Sequence, residues 1–222
     1  DNDKDFVEAL IRDIKLEPIE VDAPSCEIDD FACMGGLNPS KLMEHLREKI
    51  DEIKKGNIRR LGVLIDQDKQ TKSERLEFVS QAASDAFEQR IVLKDTNTFY
   101  TIQLDQDTDF ELVCHFTNVD GQGELETVLK AIATEESVYA DCLETWKACV
   151  EAKGMKISKK EFDKFWISNY IRFDTCSSKQ KKQAERKCSM KNFDYVLKNK
   201  AIFDLKAKEL TDLRAFLSLF KK

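Results

Sequence analysis

Between two stretches of helical periodicity lies Leu61-Gly62-Val63-Leu64-Ile65, a continuous apolar run. Such a run reads as a strand in a sheet covered on both faces, so the chain should be α/β and not a bundle of helices alone. Glycine and proline number 7 and 3 of 222 residues, well under the roughly 12% of average usage, which argues against a turn-rich sandwich or barrel. No apolar run approaches the roughly 18 residues of a membrane helix, and the opening DNDKDFVEALI lacks a signal-peptide pattern. The expectation is a cytoplasmic protein with no membrane contact.

Around that strand the pattern alternates between periods. Phe6, Val7, Leu10, Ile11 and Ile14 predict an amphipathic helix over about 3–15, preceded by a strand upstream of residue 1. Phe31-Ala32-Cys33-Met34, closed by Gly35-Gly36, reads as a short strand and turn. Asn38-Pro39-Ser40 starts a helix that runs to about Lys55 and stops at Gly56. A helix over about 72–87 is followed by a meander of strands at 90–93, 98–104 and 110–116. From Gly123 onward the period is helical. The seven cysteines include no CxxC pair, and only His45 and His115 could assist a thiol metal site. Cys142 and Cys149, within VYADCLETWKACV, read as reduced core residues. Trp146, Phe162, Phe165, Trp166, Tyr170 and Phe173 likewise read as core.

The strand delivers Asp66-Gln67-Asp68 at its C-terminal end. Alternation along a strand would point Asp66 and Asp68 the same way, and two adjacent like charges call for a cation or a shared proton. Mg²⁺ or Mn²⁺ suits such a pair, because hard cations take oxygen ligands and keep several waters. Asp105-Gln106-Asp107 repeats the letters but reads as a hairpin turn. Charge is also split along the chain. Residues 1–150 carry 17 basic and 33 acidic side chains, a balance of −16, whereas residues 151–222 carry 19 and 9, a balance of +10. Lys179, Lys181, Lys182, Arg186 and Lys187 form the densest basic stretch, after the capping candidates Ser177 and Ser178, and are candidates for phosphate-backbone contact.

LGVLIDQD, the MGG before it, and DGQGELETVLKAI after the meander together resemble the Toprim fold of topoisomerases, primases and overcoming-lysogenisation-defect type nucleases. The chain is most similar to a small bacterial family of stand-alone Toprim-like proteins of unknown function. Asp1-Asn2-Asp3-Lys4-Asp5-Phe6 fits the xxDxxF portion of that family's VEGxxDxxF opening, and IFDLKAKELTDLRAFLSLF resembles its tail. The resemblance implies a mainly parallel Toprim-like sheet flanked by helices over residues 1–135, and a basic helical region over 136–222 packed on it. It implies Mg²⁺-dependent nuclease or related phosphotransfer chemistry, with Asp66 and Asp68 as catalytic metal ligands. Glu126 of Gly123-Glu124-Leu125-Glu126 would complete a second metal position, with Glu124 as the alternative. The family's invariant glutamate would fall just before Asp1. A non-catalytic module that pairs with another protein, such as an ATPase, is the second expectation.

Overall fold

The structure is a computed structural model that describes residues 2–16, 19–26 and 36–221. Its strands are β1 (Arg60–Asp66), β2 (Tyr100–Gln103) and β3 (Asp109–Thr117), in the order β1-β3-β2. β1 pairs parallel with β3 from Arg60↔Glu111 to Asp66↔Thr117, and β2 pairs antiparallel with β3 from Tyr100↔Leu112 to Gln103↔Asp109. Among the described residues the sheet is therefore mixed, not mainly parallel. The deeply buried strand is β3, because it has a neighbour on each side. β1, despite its apolar run, is buried only at Val63, with Arg60 and Gly62 exposed and the rest half-buried.

Among the described residues ten α-helical segments surround the sheet: α1 (Asn2–Asp13), α2 (Pro39–Glu48), α3 (Ile50–Lys54), α4 (Lys72–Phe87), α5 (Leu125–Ala131), α6 (Val138–Glu151), α7 (Lys159–Asn169), α8 (Ala184–Lys187), α9 (Phe193–Asn199) and α10 (Thr211–Ser218). Local signals explain several of their starts. The Asn38 side chain accepts from the Lys41 amide ahead of Pro39, and Thr71 with Glu74 forms a capping box for α4. The single helix expected to run to Lys55 is instead interrupted at Lys49. The strand expected at 90–93 does not form. There the amides of Ile91 and Leu93 donate to the hydroxyls of Ser84 and Ser80 on α4, which satisfy them in place of a neighbouring strand. The strand expected at 31–34 and Gly35 lie outside the described residues.

Alternation along β3 divides the core into two layers. Leu112, Cys114 and Phe116 face α2 and α4 through Leu42, Leu46, Val79, Ala82, Ala83 and Ala86. Val113 faces the opposite cluster, which joins Phe6 and Leu10 of α1, Leu129 of α5, Trp166 of α7, Val196 of α9 and Phe216 of α10. This second cluster unites residues from both segments distinguished by charge. Gly62 permits its closure over β1: a Cβ there would lie 2.7 Å from a Phe220 ring carbon and 3.0 Å from one of Phe216. No described helix is long and apolar enough to cross a membrane.

The cysteines and aromatic residues depart from the core reading in part. Cys114 is buried, but Cys142 and Cys149 are exposed on α6, and Cys176 is disulfide-bonded to Cys188. Phe162, Trp166 and Tyr170 are core residues, whereas Trp146, Phe165 and Phe173 are exposed. Helical spacing alone could not distinguish them, because α6 and α7 each carry more apolar residues than their mutual contact covers. His45 bonds Ser25, and buried His115 bonds Asn97 and stacks on Phe216.

Candidate functional site

Asp66 closes β1, and the parallel ladder continues one residue further as the Gln67 amide donates to the Thr117 carbonyl at 2.9 Å. The chain then turns. Asp68 takes a left-handed backbone conformation, φ 53°, which aspartate tolerates better than most residues. It is therefore not strand alternation that brings Asp68 beside Asp66 but this turn. Asp68 and Gly123 exchange both backbone hydrogen bonds, at 2.8 and 3.0 Å, in an isolated bridge beyond the sheet's C-terminal edge. The bridge delivers Glu124, at the head of α5, to the two aspartates. One carboxylate oxygen from each of Asp66, Asp68 and Glu124 lies within 4.8 Å of the others.

Gly123 is required for this arrangement. Its φ is +110°, and a Cβ would meet the Thr127 side chain at 2.8 Å. Arg75, buried on α4, fixes the turn from the other side. It donates to Asp68 Oδ2 at 2.5 Å and to the Gln67 carbonyl at 3.3 Å. Lys160 on α7 approaches from the open side, with Nζ 2.5 Å from Glu124 Oε2 and 3.5 Å from Asp68 Oδ1. Glu124 is 4% exposed, yet its second oxygen, Oε1, has no hydrogen-bond partner.

Electrostatically the group is larger than three residues. Burial raises the Asp66 carboxyl to about 8, helped by the charges of Asp3, Asp68 and Glu124 and opposed by Lys160. Burial also raises Asp3, in the first turn of α1, with Lys164 opposing and Glu124 adding. Glu126 is raised by burial, with Lys164 opposing and Glu124 and Asp3 adding. Desolvation works against the Lys160 ammonium, but its bond to Glu124 and the charges of Glu124, Asp68 and Asp66 outweigh it and raise its pKa. Two lysines one helical turn apart thus face a continuous group of acids.

The structure brings Asp66 and Asp68 together as the DxD spacing suggested, and it places Glu124, not Glu126, in the trio. Glu126 sits beside Glu124 and Asp3, on the side facing Lys164. The mutual distances and the orphaned buried oxygen of Glu124 fit a hard divalent cation, for which Asp66, Asp68 and Glu124 could serve as ligands. The trio opens into a cavity of about 2180 Å³ that Asp3, Gly36, Arg75 and Lys160 also line. Lys179, Lys181, Lys182, Arg186 and Lys187 do not line it. They occupy the segment between Cys176 and Cys188, all exposed except half-buried Lys187. Asp105-Gln106-Asp107 forms the turn between β2 and β3, with the Leu104 amide bonded to the Thr108 carbonyl. Lys160 is the site residue with no sequence signal, since only tertiary packing turns α7 toward α5. Asp3 had one, as the aspartate of the xxDxxF match.

A mixed α/β chain with a carboxylate cluster just beyond the C-terminal ends of two parallel strands is the class defined by this fold and site, the usual position for ligands in open α/β sheets. The chain belongs to the family described as "Protein of unknown function (DUF3226)", which matches residues 1–221. No curated protein and no solved structure matches it.

Proposed function

We propose that this protein is a Toprim-like, Mg²⁺- or Mn²⁺-dependent enzyme of nucleic acid phosphodiesters, a nuclease or a related phosphotransferase. The observation that carries this reading is the buried, unpartnered Oε1 of Glu124 beside Asp66 and Asp68. A buried carboxylate oxygen without a partner costs free energy that a cation would recover. A divalent ion held by these three side chains would polarise a phosphate oxygen and acidify a bound water. Asp68 and Glu124 are fixed in position by Arg75 and the Gly123 bridge. Asp66 keeps a proton near neutral pH in the metal-free protein. Lys160, half-exposed at the mouth of the cluster, stands where a phosphate oxygen would approach. In this reading residues 1–135 supply the Toprim-like unit, and the basic residues 179–187 hold the nucleic acid backbone, in a cytoplasmic protein.

A second reading, a non-catalytic module that pairs with another protein such as an ATPase, is favoured by one observation. The Lys160 ammonium already neutralises part of the cluster. Calorimetric titration of the protein with Mn²⁺, together with turnover assays on single- and double-stranded DNA and RNA, separates the two. Under the enzyme reading Mn²⁺ binds, and Asp66→Ala abolishes both binding and metal-dependent cleavage. If Mn²⁺ does not bind and no substrate is cleaved, the enzyme reading fails and the interaction module stands.

A further inference from the structure

Six of the seven large hydrophobic residues most exposed among the described residues fall in one region: Val138, Tyr139 and Trp146 on α6, Met155 just after it, Phe165 on α7 and Phe173 in the π-helical turn Tyr170–Asp174. Tyr139 is 60% exposed and Trp146 44%, and Ala140 is the only fully buried residue of α6. The helix has two adjacent apolar stripes. Ala140, Leu143 and Val150 lie on the inner one. Tyr139, Cys142, Trp146 and Cys149 form the outer one at spacings of three, four and three, the a/d seam of a coiled coil. Phe173 and Phe165 extend that seam sideways, with ring centroids 5.9 Å from Tyr139 and 5.3 Å from Trp146. Clustered apolar exposure of this kind marks a contact surface.

The charges flanking the seam say what covers it. Just ahead of α6 stand the exposed acids Glu135 and Glu136; Asp141 and Glu144, on the helix itself, already bond Trp166 and Lys130. After it come the exposed Lys153 and Lys156; Lys147 pairs with Glu151, and Lys159 and Lys160, on α7, pair with Asp163 and Glu124 and take no part in the seam. An identical helix laid antiparallel sets each acidic end against a basic one, whereas a parallel copy would oppose like charges. With the two-fold axis at Glu144 the helical registers coincide: Tyr139 meets Cys149 of the second copy and Cys142 meets Trp146, while the Glu135–Glu136 end lies beside the Lys153 end of the second copy. We infer that the α6 face is a two-fold, antiparallel self-association surface and that its occupant is a second copy of this chain.

Sedimentation equilibrium of the full chain, over three decades of concentration at low salt, tests this. The expected result is a monomer–dimer equilibrium weakened about tenfold or more by Trp146→Glu, with the circular dichroism spectrum, and the melting temperature at concentrations where both proteins are monomeric, unchanged because Trp146 lies outside the core. Glu135→Lys and Lys153→Glu should each weaken the dimer. Their combination should restore it, a rescue that only a contact between copies in this register produces. A chain that stays monomeric throughout, a dimer indifferent to Trp146→Glu, or a double variant no tighter than the single ones would overturn the proposal, the first of these leaving the face to a different protein.

Discussion

Asp66 retains its proton into the neutral range because burial and three neighbouring carboxylates all oppose its charge. A carboxyl with a raised folded-state pKa binds protons more tightly folded than unfolded. Its contribution to stability is therefore fully present below the ordinary aspartate range and is lost as pH rises toward about 8. Asp66→Asn removes this loss. The variant should match the parent near pH 4 and become more stable than it as pH rises, by an amount on the order of a few kcal/mol by pH 8. Chemical denaturation of both proteins without metal across this range gives the difference directly, and His115, whose burial lowers its pKa to about 4, cancels between them. A variant less stable than the parent at neutral pH would make Asp66 a structural hydrogen-bonding residue. Lys160 poses the complementary case. Its ammonium lies against two candidate ligands, so any divalent ion must compete with it. Lys160→Met should tighten Mn²⁺ binding about tenfold, since removing one competing charge in a half-exposed site is worth roughly 1–2 kcal/mol. Unaltered affinity would show that Lys160 does not occupy the cation's position.

At the scale of the element, the site depends on how the β1 end and the head of α5 are joined. Among the described residues the Asp68–Gly123 bridge makes that backbone connection, and it needs a residue that accepts φ +110° with no Cβ against Thr127. Gly123→Ala should cost about 1–3 kcal/mol in backbone strain and crowding, and should weaken Mn²⁺ binding more than Glu126→Gln does, because it displaces Glu124. Thermal melts and Mn²⁺ titrations of both variants check the order, and a greater loss in Glu126→Gln would return the third ligand to Glu126. The same elements show what the sequence could reveal. α4 runs over the predicted residues because a Thr71–Glu74 capping box starts it and the apolar period sustains it, both local signals. β1 was legible as an apolar run and the DxD as a charge pair. The choice between Glu124 and Glu126 was not legible, because it depends on a cross-chain bridge. Nor was the fate of residues 90–93, whose apolar letters suit a strand but whose amides are satisfied by two serines of α4.

Across the whole molecule the two charged halves are not two bodies, since one apolar cluster unites α1 and α5 with α7, α9 and α10. The −16 half carries the carboxylate cluster, and the +10 half contributes both Lys160 at its rim and the exposed basic stretch held between Cys176 and Cys188. An acidic centre repels a polyanion, so the proposed phosphodiester chemistry would need positive charge nearby to bring phosphates to it. If the basic stretch has that role, affinity for nucleic acid should fall steeply with salt. Changing Lys179, Lys181 and Lys182 together to Gln should reduce the magnitude of the log–log salt slope by about 0.7 to 0.9 for each phosphate that is no longer neutralised. The same variant should still bind Mn²⁺ with parental affinity, because none of the three lysines lines the cavity of the cluster. Fluorescence anisotropy with labelled DNA and RNA over a range of salt measures the slope, and calorimetry measures the ion. A slope unchanged by the triple substitution would remove the basic stretch from the nucleic acid surface and shift that role to the lysines and arginines at the cavity mouth. Binding insensitive to salt would argue against phosphate recognition by any part of the chain.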